Sequence, residues 1–528
     1  MHRTLDRKMI FISALFVYSI WSILLIFHSS TVGFNGDRYF SLFDDAMVSM
    51  RYAWNLSHGQ GLVWNPGERV EGYTNLLMTL IMSVSTAFLE KSSAVFAIQV
   101  LGLLFNLGSA ILVWQVSDSH FAGFPEGMRF QLKLLVLLMT LMYYPLAYWS
   151  LMGMETGVLT LLLLAALYTL ERYRAERAGS HPYIIAGWMG LAFLARPDAL
   201  IFCIPIYSIL IETAREISTN DRTSGKKIIG SLLLLALFPI AQMLFRISYY
   251  GDLLPNTYYL KLTGMPMPDR LLNGLGFIAP YLATHGFLLV VVTAGCRLWR
   301  DARRWWLLML AGMTILYQVW IGGDAWAYWR IVTPVYPMLA ILFAGSMHEI
   351  LSRSGFHVAD IPRPRLLSYL VILAILISNL TFLGEMLFLR RPYQTEVYAS
   401  LINTAIALDE VTTEEASIGV YWAGIIPYYT GRPSVDFLGK SDKYIARLQA
   451  DLSGVVSWDG MYSVPGHNKY DLDYSIKNLL PTYIQYPAWK GEDLSAWAVD
   501  HYHALYYKGI LLWLKRGAPE VRWDLLPD

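Results

Sequence analysis

Cysteine is nearly absent: Cys203 and Cys296 are the two in 528 residues. Both sit in or beside apolar runs, so a disulfide framework and the paired-cysteine spacing of a zinc site are excluded, and packing is the role left to them. Charge is scarce as well. Asp, Glu, Lys and Arg make up 15% of the chain, against about 25% in soluble domains. The formal net charge is +1, which removes the electrostatic case for nucleic acid. HExxH and paired-histidine spacings are missing, so there is no built-in zinc centre. Internal repeats and low-complexity tracts are missing too.

What is present is apolar, 55% of the residues. Hydrophobic runs lie near 9–27, 74–89, 94–117, 132–148, 156–171, 182–213, 228–247, 273–296, 304–321, 333–350 and 366–388. Runs of this length, repeated along a charge-poor chain, mean an integral membrane protein. The opening "MHRTLDRKMIFISALFVYSIWSILLIF" has an apolar core longer than the about 7–15 residues of a signal peptide and no A-x-A site, so it is expected to be a retained span. Arg3, Arg7 and Lys8 hold the N-terminus in the cytoplasm by the positive-inside rule. If 74–89 lies in the interface and 182–213, broken at "ARPDA", makes two short spans, every basic loop falls inside: "ERYRAERAGSHP", "REISTNDRTSGKK", "CRLWRDARR" and "SRSGFHVADIPRPR". The expected count is about eleven spans.

The segments left outside then form a pattern. They are an Asp-Asp loop, "SLMGMETG", "ARPDA", "YYGDLLPNTYYLKLTG", "GGDAWAYWR" and everything after Arg390. Groups able to do chemistry collect on one face of the membrane. The last stretch, 390–528, is less apolar and rich in Tyr, Trp, Pro and Gly. "ASIGVYWAG" and "GILLWLKRG" read as strands; "SDKYIARLQADL" and "DLDYSIKNLL" have helical spacing. The expected division is a membrane part, 1–389, and a small α/β domain outside the membrane, 390–528.

The Asp-Asp loop, "FSLFDDAMVSMRYAWNLSHGQGLVWNPGERVEGYTN", spans 40–75. A helix over 42–58 would align Phe43, Met47, Met50 and Trp54 as an apolar stripe, with Asp44, Arg51 and Asn55 on another face and Gly59 at the stop. Such a helix can lie flat on the outer surface, its first-turn acids at the mouth of a cavity between the spans. Ser41 as N-cap would explain one acid, since an anion in the first turn is worth about 0.3–1 kcal/mol. Two acids with "GERVEGYTN" downstream exceed what capping needs. A carboxylate there can take the proton of an acceptor hydroxyl as its oxygen attacks a carbon bearing a good leaving group.

"DDAMVSMRYAWNLSHGQGLVWNPGERVEGYTN" closely resembles the first external loop of the actinobacterial terminal arabinofuranosyltransferases of cell-wall arabinan and of the related pilin arabinosyltransferases, all of the GT-C superfamily of polyprenyl-phosphate-sugar-dependent glycosyltransferases. "GDLLPNTYYLK", "GGDAWAYWR" and the pattern "VDFLGKSDKYIAR…PGHNKYD" fit the same group. The resemblance implies a fold: an all-α polytopic membrane bundle of GT-C type with interfacial helices in the first external loop, here followed by a C-terminal soluble α/β periplasmic domain. It also implies a donor sugar on a polyprenyl monophosphate and maps the acidic motif to Asp44, given the base role, and Asp45, given a supporting one.

A departing lipid phosphate needs cations. Lys261 and Arg330 are the favoured donor-phosphate residues, with Arg51 and Arg196 as further candidates; snorkelling at span ends is the competing explanation for each. Glu68, Glu71, Tyr73, Asn75, Glu155, Asn256, Tyr258, Asp324 and His467 are the candidate substrate-binding residues. Glu155 has the helix dipole as an alternative explanation, and Asp198 is read as a salt bridge to Arg196 at a helix break. Tyr421, Trp422, Tyr428 and Tyr429 read as a small core rather than a sugar-stacking platform. A divalent cation between the acids is possible; no cofactor is otherwise implied. The expected function is transfer of a sugar, by resemblance D-arabinofuranose, to an extracytoplasmic glycan or pilin-like protein. The alternatives are a transferase of another lipid-linked sugar such as mannose, a transporter of lipid-linked sugar, and a non-enzymatic assembly protein. The protein is expected in the bacterial inner membrane with its site facing the periplasm.

Overall fold

The computed structural model describes residues 2–177, 179–217, 222–298, 303–353, 362–453, 461–485 and 495–526. Parts of the four basic loops, at 178, 218–221, 299–302 and 354–361, lie outside the described residues.

The chain is mainly helical. Helix α1, His2–Ser29, is followed by a short antiparallel pair, β1 (Thr31–Val32) and β2 (Arg38–Tyr39), and by α2, Asp44–Ser57. Next come α3 (Leu76–Phe88), α4 (Lys91–His120), α5 (Glu126–Leu141), α6 (Tyr144–Leu151), α7 (Thr156–Glu176), α8 (His181–Ala195) and α9 (Cys203–Ile217). The second half of the bundle holds α10 (Arg222–Tyr250), α11 (Asn256–Leu262), α12 (Met267–Leu298), α13 (Arg303–Trp320), α14 (Tyr336–Arg353) and α15 (Arg363–Ser378). After the short α16 (Leu383–Met386) and α17 (Thr395–Val411) the chain alternates β3 (Ile418–Val420), α18 (Ile425–Thr430) and β4 (Ser434–Asp436), then closes with β5 (Tyr483–Ile484), β6 (Tyr502–Tyr507) and β7 (Ile510–Lys515).

Among the described residues six helices are long and apolar enough to cross a membrane, or eight if two bent pairs each count once. That is fewer than the apolar runs of the sequence, for identifiable reasons. Helix α3 has 13 residues and α8 has 15, short of the roughly 20 a span needs. The run 132–148 is α5 and α6 bent by 50°, and 366–388 is bent by 58° after α15. The run 182–213 breaks at Arg196–Pro197, where proline forbids the helical conformation of the residue before it: Arg196 is extended at φ −153°, ψ 122°.

Close packing in the bundle uses missing side chains. On α4, a Cβ at Gly102 would stand 2.0 Å from the Ser150 carbonyl oxygen, so glycine lets α6 cross in backbone contact.

Strands β4-β3-β5-β7-β6 form one five-stranded sheet, parallel at β4, β3 and β5 and antiparallel beyond. β3 and β7 lie inside the two segments that read as strands. The two segments with helical spacing contract instead to a 3-10 turn at Ile445–Arg447 and a single π turn at Asp473–Asn478; their apolar residues Ile445, Leu472 and Ile476 are buried. Residues from α17, α18 and the sheet share one apolar cluster with α1, α2, α4 and α6, so the C-terminal part is built onto the bundle.

Helix α2 does not lie flat on a surface. Asp44, Ala46–Ala53 and Asn55 are buried, because α3 packs on one side and α18 on another. The helix begins at Asp44, with Phe43 extended before it and making no side-chain cap, so Ser41 is not the cap.

Candidate active site

A cavity of about 280 Å³ opens where many helix ends meet. Asp45 opens α2, Glu155 precedes α7, Arg196 follows α8, Asp198 precedes α9, Arg246 stands in the last turns of α10, Tyr317 near the end of α13, and Arg330 precedes α14. Starts and ends alternate as an up-and-down bundle requires, so the lining residues come from one end of it. The other end is tied by Arg7–Glu126 and by Arg174–Glu216 at 3.5 Å. The chemistry-bearing segments collect on one side, as the charge pattern of the loops suggested.

Two carboxylates and three cations form the centre. Arg330 donates Nε and Nη2 to Asp324 at 2.5 and 2.9 Å and Nη1 to Asp45 at 3.0 Å. Lys440 pairs with the other oxygen of Asp45. Lys261 is 4.0 Å from Asp324 and its side chain is 31% exposed, the most accessible of the five. Burial pushes Asp45 up, yet Lys440, Arg330 and Lys261 overcome it and hold the carboxyl well below the usual carboxylate range. Burial likewise opposes ionisation of Asp324, and Arg330 and Lys261 hold it down. Lys261 itself is pushed down by burial, only partly offset by Asp324. The site is thus an ionised cluster.

Local structure explains how each group arrives. Arg330 follows two non-glycine residues in the left-handed region, Tyr328 (φ 68°) and Trp329 (φ 46°), a conformation costing of order 1–3 kcal/mol each. Hydrogen bonds hold it: Tyr328 OH to Glu385 at 2.7 Å, and Trp149 Nε1 to the Tyr328 carbonyl at 3.0 Å. Lys440 sits in a turn after β4. Asp436 accepts from the backbone N–H groups of Leu438 and Ser441 at 3.0 and 2.7 Å. Asn256 Nδ2 caps the Gly439, Lys440 and Asp442 carbonyls at 2.9, 3.0 and 3.0 Å.

Asp44 and Asp45 diverge. Asp44 Oδ1 accepts from the backbone N–H groups of Gly424 and Ile425 at 3.2 and 3.1 Å. Glycine is required there, since a Cβ at 424 would stand 2.2 Å from the Asp44 carbonyl. Burial pushes Asp44 up to about 7, against Lys440 and the two N–H groups. It does not line the cavity; Asp45 does. Of the two, it is Asp45, expected in the supporting role, and not Asp44, expected as the base, that reaches the cavity. The divalent cation allowed for in the sequence does not fit either: Asp45 and Asp324 each face cations, Asp44 faces backbone, and among the described residues no three His, Cys, Asp or Glu side chains converge.

Of the other sequence candidates, Lys261, Arg330, Arg196, Tyr73, Asn75, Glu155, Tyr258 and Asp324 line the cavity. Arg196 is bracketed by Glu155 at 2.5 Å and Asp198 at 2.6 Å, so its charge is already neutralised. Asn75 Nδ2 donates to Glu155 at 3.4 Å, and its oxygen accepts from Ser49 at 2.9 Å.

Five candidates do not line it. Arg51 is buried with its donors occupied by the Trp64, Pro427, Gly431 and Arg432 carbonyls at 2.8–3.1 Å, so it is a structural tie rather than a phosphate ligand. Glu68 accepts from Asn65 at 3.1 Å on an exposed turn. Glu71 is buried behind Arg246, which donates to it at 2.7 and 3.0 Å, and burial pushes it up to about 7. Asn256 caps the Lys440 turn. His467 packs edge-on against the Trp326 ring at 5.1 Å.

Lys440 and Arg246 were missed. The "FLGKSD" turn was visible as part of a pattern, but nothing local marks its lysine as reaching a cavity 395 residues away in sequence from Asp45. Arg246 lies inside an apolar run. Its Nη2 and Thr257 Oγ1 are buried without a protein partner, and both residues line the cavity, leaving polar atoms for a ligand.

Comparisons with known proteins agree with this architecture. A family model described as a domain of unknown function (DUF8728) matches residues 389–510. The terminal β-(1→2)-arabinofuranosyltransferase of Corynebacterium glutamicum is 24% identical over 340 residues, 56% of this chain and 46% of that protein. The protein of the same name from Mycobacterium tuberculosis is 27% identical over 228 residues, 41% of this chain and 34% of that one. The chain thus aligns with less than half the length of these curated relatives. The crystal structure of apo ArnT from Cupriavidus metallidurans superposes with TM-score 0.59 at 11% identity over 97% of this chain and 98% of that one. The same protein bound to undecaprenyl phosphate gives 0.53 at 11% identity over 80% and 85%. The chain shares the fold of ArnT, and in sequence it resembles the terminal arabinofuranosyltransferases.

Proposed function

We propose that this protein is a multi-pass inner-membrane glycosyltransferase that transfers a sugar, D-arabinofuranose, from a polyprenyl phosphate to a hydroxyl of an acceptor outside the cytoplasm, a cell-envelope glycan or a pilin-like protein. The observation that carries the reading is Asp45, a carboxylate at a cavity it shares with Asp324 and with three cations drawn from separate segments, Lys261, Arg330 and Lys440. A relative named for arabinofuranosyl transfer and a structural neighbour that binds undecaprenyl phosphate support the choice of sugar and carrier.

In this reading the cations hold the donor phosphate and stabilise the charge that grows on it as the sugar departs. Lys261, the most accessible, meets it first. Asp45 takes the proton of the acceptor hydroxyl, and Asp44 holds the start of α2 so that its neighbour faces the cavity. The polar wall of Asn75, Thr257 and the Glu155–Arg196–Asp198 cluster, formally one negative charge and rich in acceptor oxygens, suits sugar hydroxyls. Residues 1–389 supply the membrane part and most of the cavity; residues 390–528, on the periplasmic side, supply Lys440.

The test is a transfer assay with purified protein in lipid nanodiscs. Synthetic polyprenyl-phosphate arabinofuranose and mannose, labelled in the sugar, are offered with arabinan fragments and with pilin. Release of polyprenyl phosphate coupled to labelling of an acceptor, with arabinofuranose preferred, supports the proposal. Movement of intact donor between leaflets without consumption, or no turnover of any donor, overturns it.

A further inference from the structure

The three cations of the cavity are held unequally. Arg330 is fixed to Asp324 through two hydrogen bonds and gives Asp45 a single one. Lys261 stands at 4.0 Å from Asp324. Lys440, at the end of a flexible stem, is paired with Asp45. Together with the two carboxylates these groups carry one surplus positive charge. Of the other charges lining the cavity, Arg246 is matched by Glu71, while Arg196 faces two carboxylates, Glu155 and Asp198, a group that is formally one negative charge and leaves no cation free for phosphate. Around Asp45 the remaining ionisable neighbours are Asp44, whose carboxylate is turned to backbone N–H groups, Asp324 and the Tyr398 hydroxyl.

Resting on the reading above, we infer that Lys440 is a cation that changes partner during turnover, from Asp45 to the leaving phosphate, so that protonation of the base and departure of the carrier occur within one charge balance. The donor phosphodiester carries one negative charge, which the surplus matches. In the reaction the acceptor O–H bond breaks and its proton goes to Asp45. The acceptor oxygen bonds to the anomeric carbon, and the bond from that carbon to the phosphate oxygen breaks, leaving its electron pair on phosphate. The phosphate passes from one negative charge to two while Asp45 passes from one to none. The surplus of the protein cluster rises by one charge in the same step, and Lys440, released by Asp45, supplies it. The buried cluster never carries an unmatched charge, which a dry site would penalise heavily. Asp45 is a competitor of the product phosphate for Lys440, and the product is held tightly only while Asp45 is protonated.

Undecaprenyl phosphate is the probe, titrated calorimetrically into the full chain in nanodiscs at pH 8, where a phosphate monoester with second pKa about 6 is already a dianion. Two buffers of different ionisation heat report proton exchange. Wild-type protein is expected to take up protons on binding. Asp45→Asn should take up none and bind about tenfold or more tightly than wild type, since each tenfold needs only a modest change in charge pairing; Lys440→Met should bind about tenfold more weakly. Binding to wild type without proton uptake, or weaker binding by folded Asp45→Asn, overturns the inference while leaving the transferase reading standing. Failure of wild type to bind the probe at all strikes the transferase reading itself. If Asp45→Asn does not fold, proton uptake by the wild type decides alone.

Discussion

Asp44 and Arg51, about two turns apart on α2, grip opposite ends of the same short helix, α18. Asp44 accepts the N–H groups of Gly424 and Ile425 at its start, and Arg51 donates to the carbonyls of Pro427, Gly431 and Arg432 at its end. An anion at a helix start and a cation at its end are the signs the helix dipole favours. The pair registers the C-terminal residues against α2, and through them Lys440 against Asp45.

Asp45→Asn is expected to lower transfer by about 10²–10⁴-fold, the usual contribution of a general base. Asp44→Asn keeps an amide oxygen for the same two N–H groups and should lose less than about tenfold. Parallel assays of the purified variants check this; equal losses at both positions would contradict the assignment of the base to Asp45.

Arg51→Ala removes four hydrogen bonds made by a buried guanidinium. The Trp64, Pro427 and Arg432 carbonyls keep a second donor in Asn55 Nδ2, the Gly431 N–H and the Ser434 hydroxyl, so the expected loss is about 1–3 kcal/mol, read as a lowered Tm in detergent. A phosphate ligand at this position would instead leave Tm nearly unchanged and raise KM for the donor.

The stability of the protein should fall as pH rises towards neutrality. The folded pKa of Asp44, about 7, lies above its unfolded value of about 4. The native state therefore binds the extra proton, and the stabilisation is complete below about pH 4 and lost as pH passes 7. Glu71 acts in the same direction. Thermal unfolding at pH 6 and pH 8 should differ less for Asp44→Asn than for wild type.

Asn256→Ala removes the cap of three carbonyls around Lys440. The expected result is a several-fold rise in KM for the lipid donor with a smaller change in Tm than Arg51→Ala causes. Unchanged kinetics would mean that the turn holds Lys440 without Asn256.

Much of the organisation was legible from residues alone. The charge deficit and apolar runs declared the membrane bundle, and the side on which basic loops were missing held the chemistry. Asp45 was legible as half of an acidic pair between apolar runs, Lys261 and Arg330 as cations that a departing lipid phosphate would need, and Asp324 as the acid that follows Gly322 and Gly323. The amphipathic pattern of α2 was read correctly as helix and wrongly as surface. A period of apolar residues reports which face is buried locally; it does not report that α18, nearly four hundred residues later, covers the polar face as well.

The sequence by itself determined the apolar character of the bundle, the segments whose ionisable groups gather at one end of it, and the residue types from which a site can be made, because hydropathy and charge placement act locally along a chain. Tertiary structure alone decided which of two adjacent aspartates faces the cavity, that Arg51 and Asn256 hold backbone instead of ligand, and that Lys440 completes the centre. Those outcomes depend on distances between segments far apart in sequence, and a charge acquires its role only from the charges and carbonyls that folding brings within a few ångströms of it.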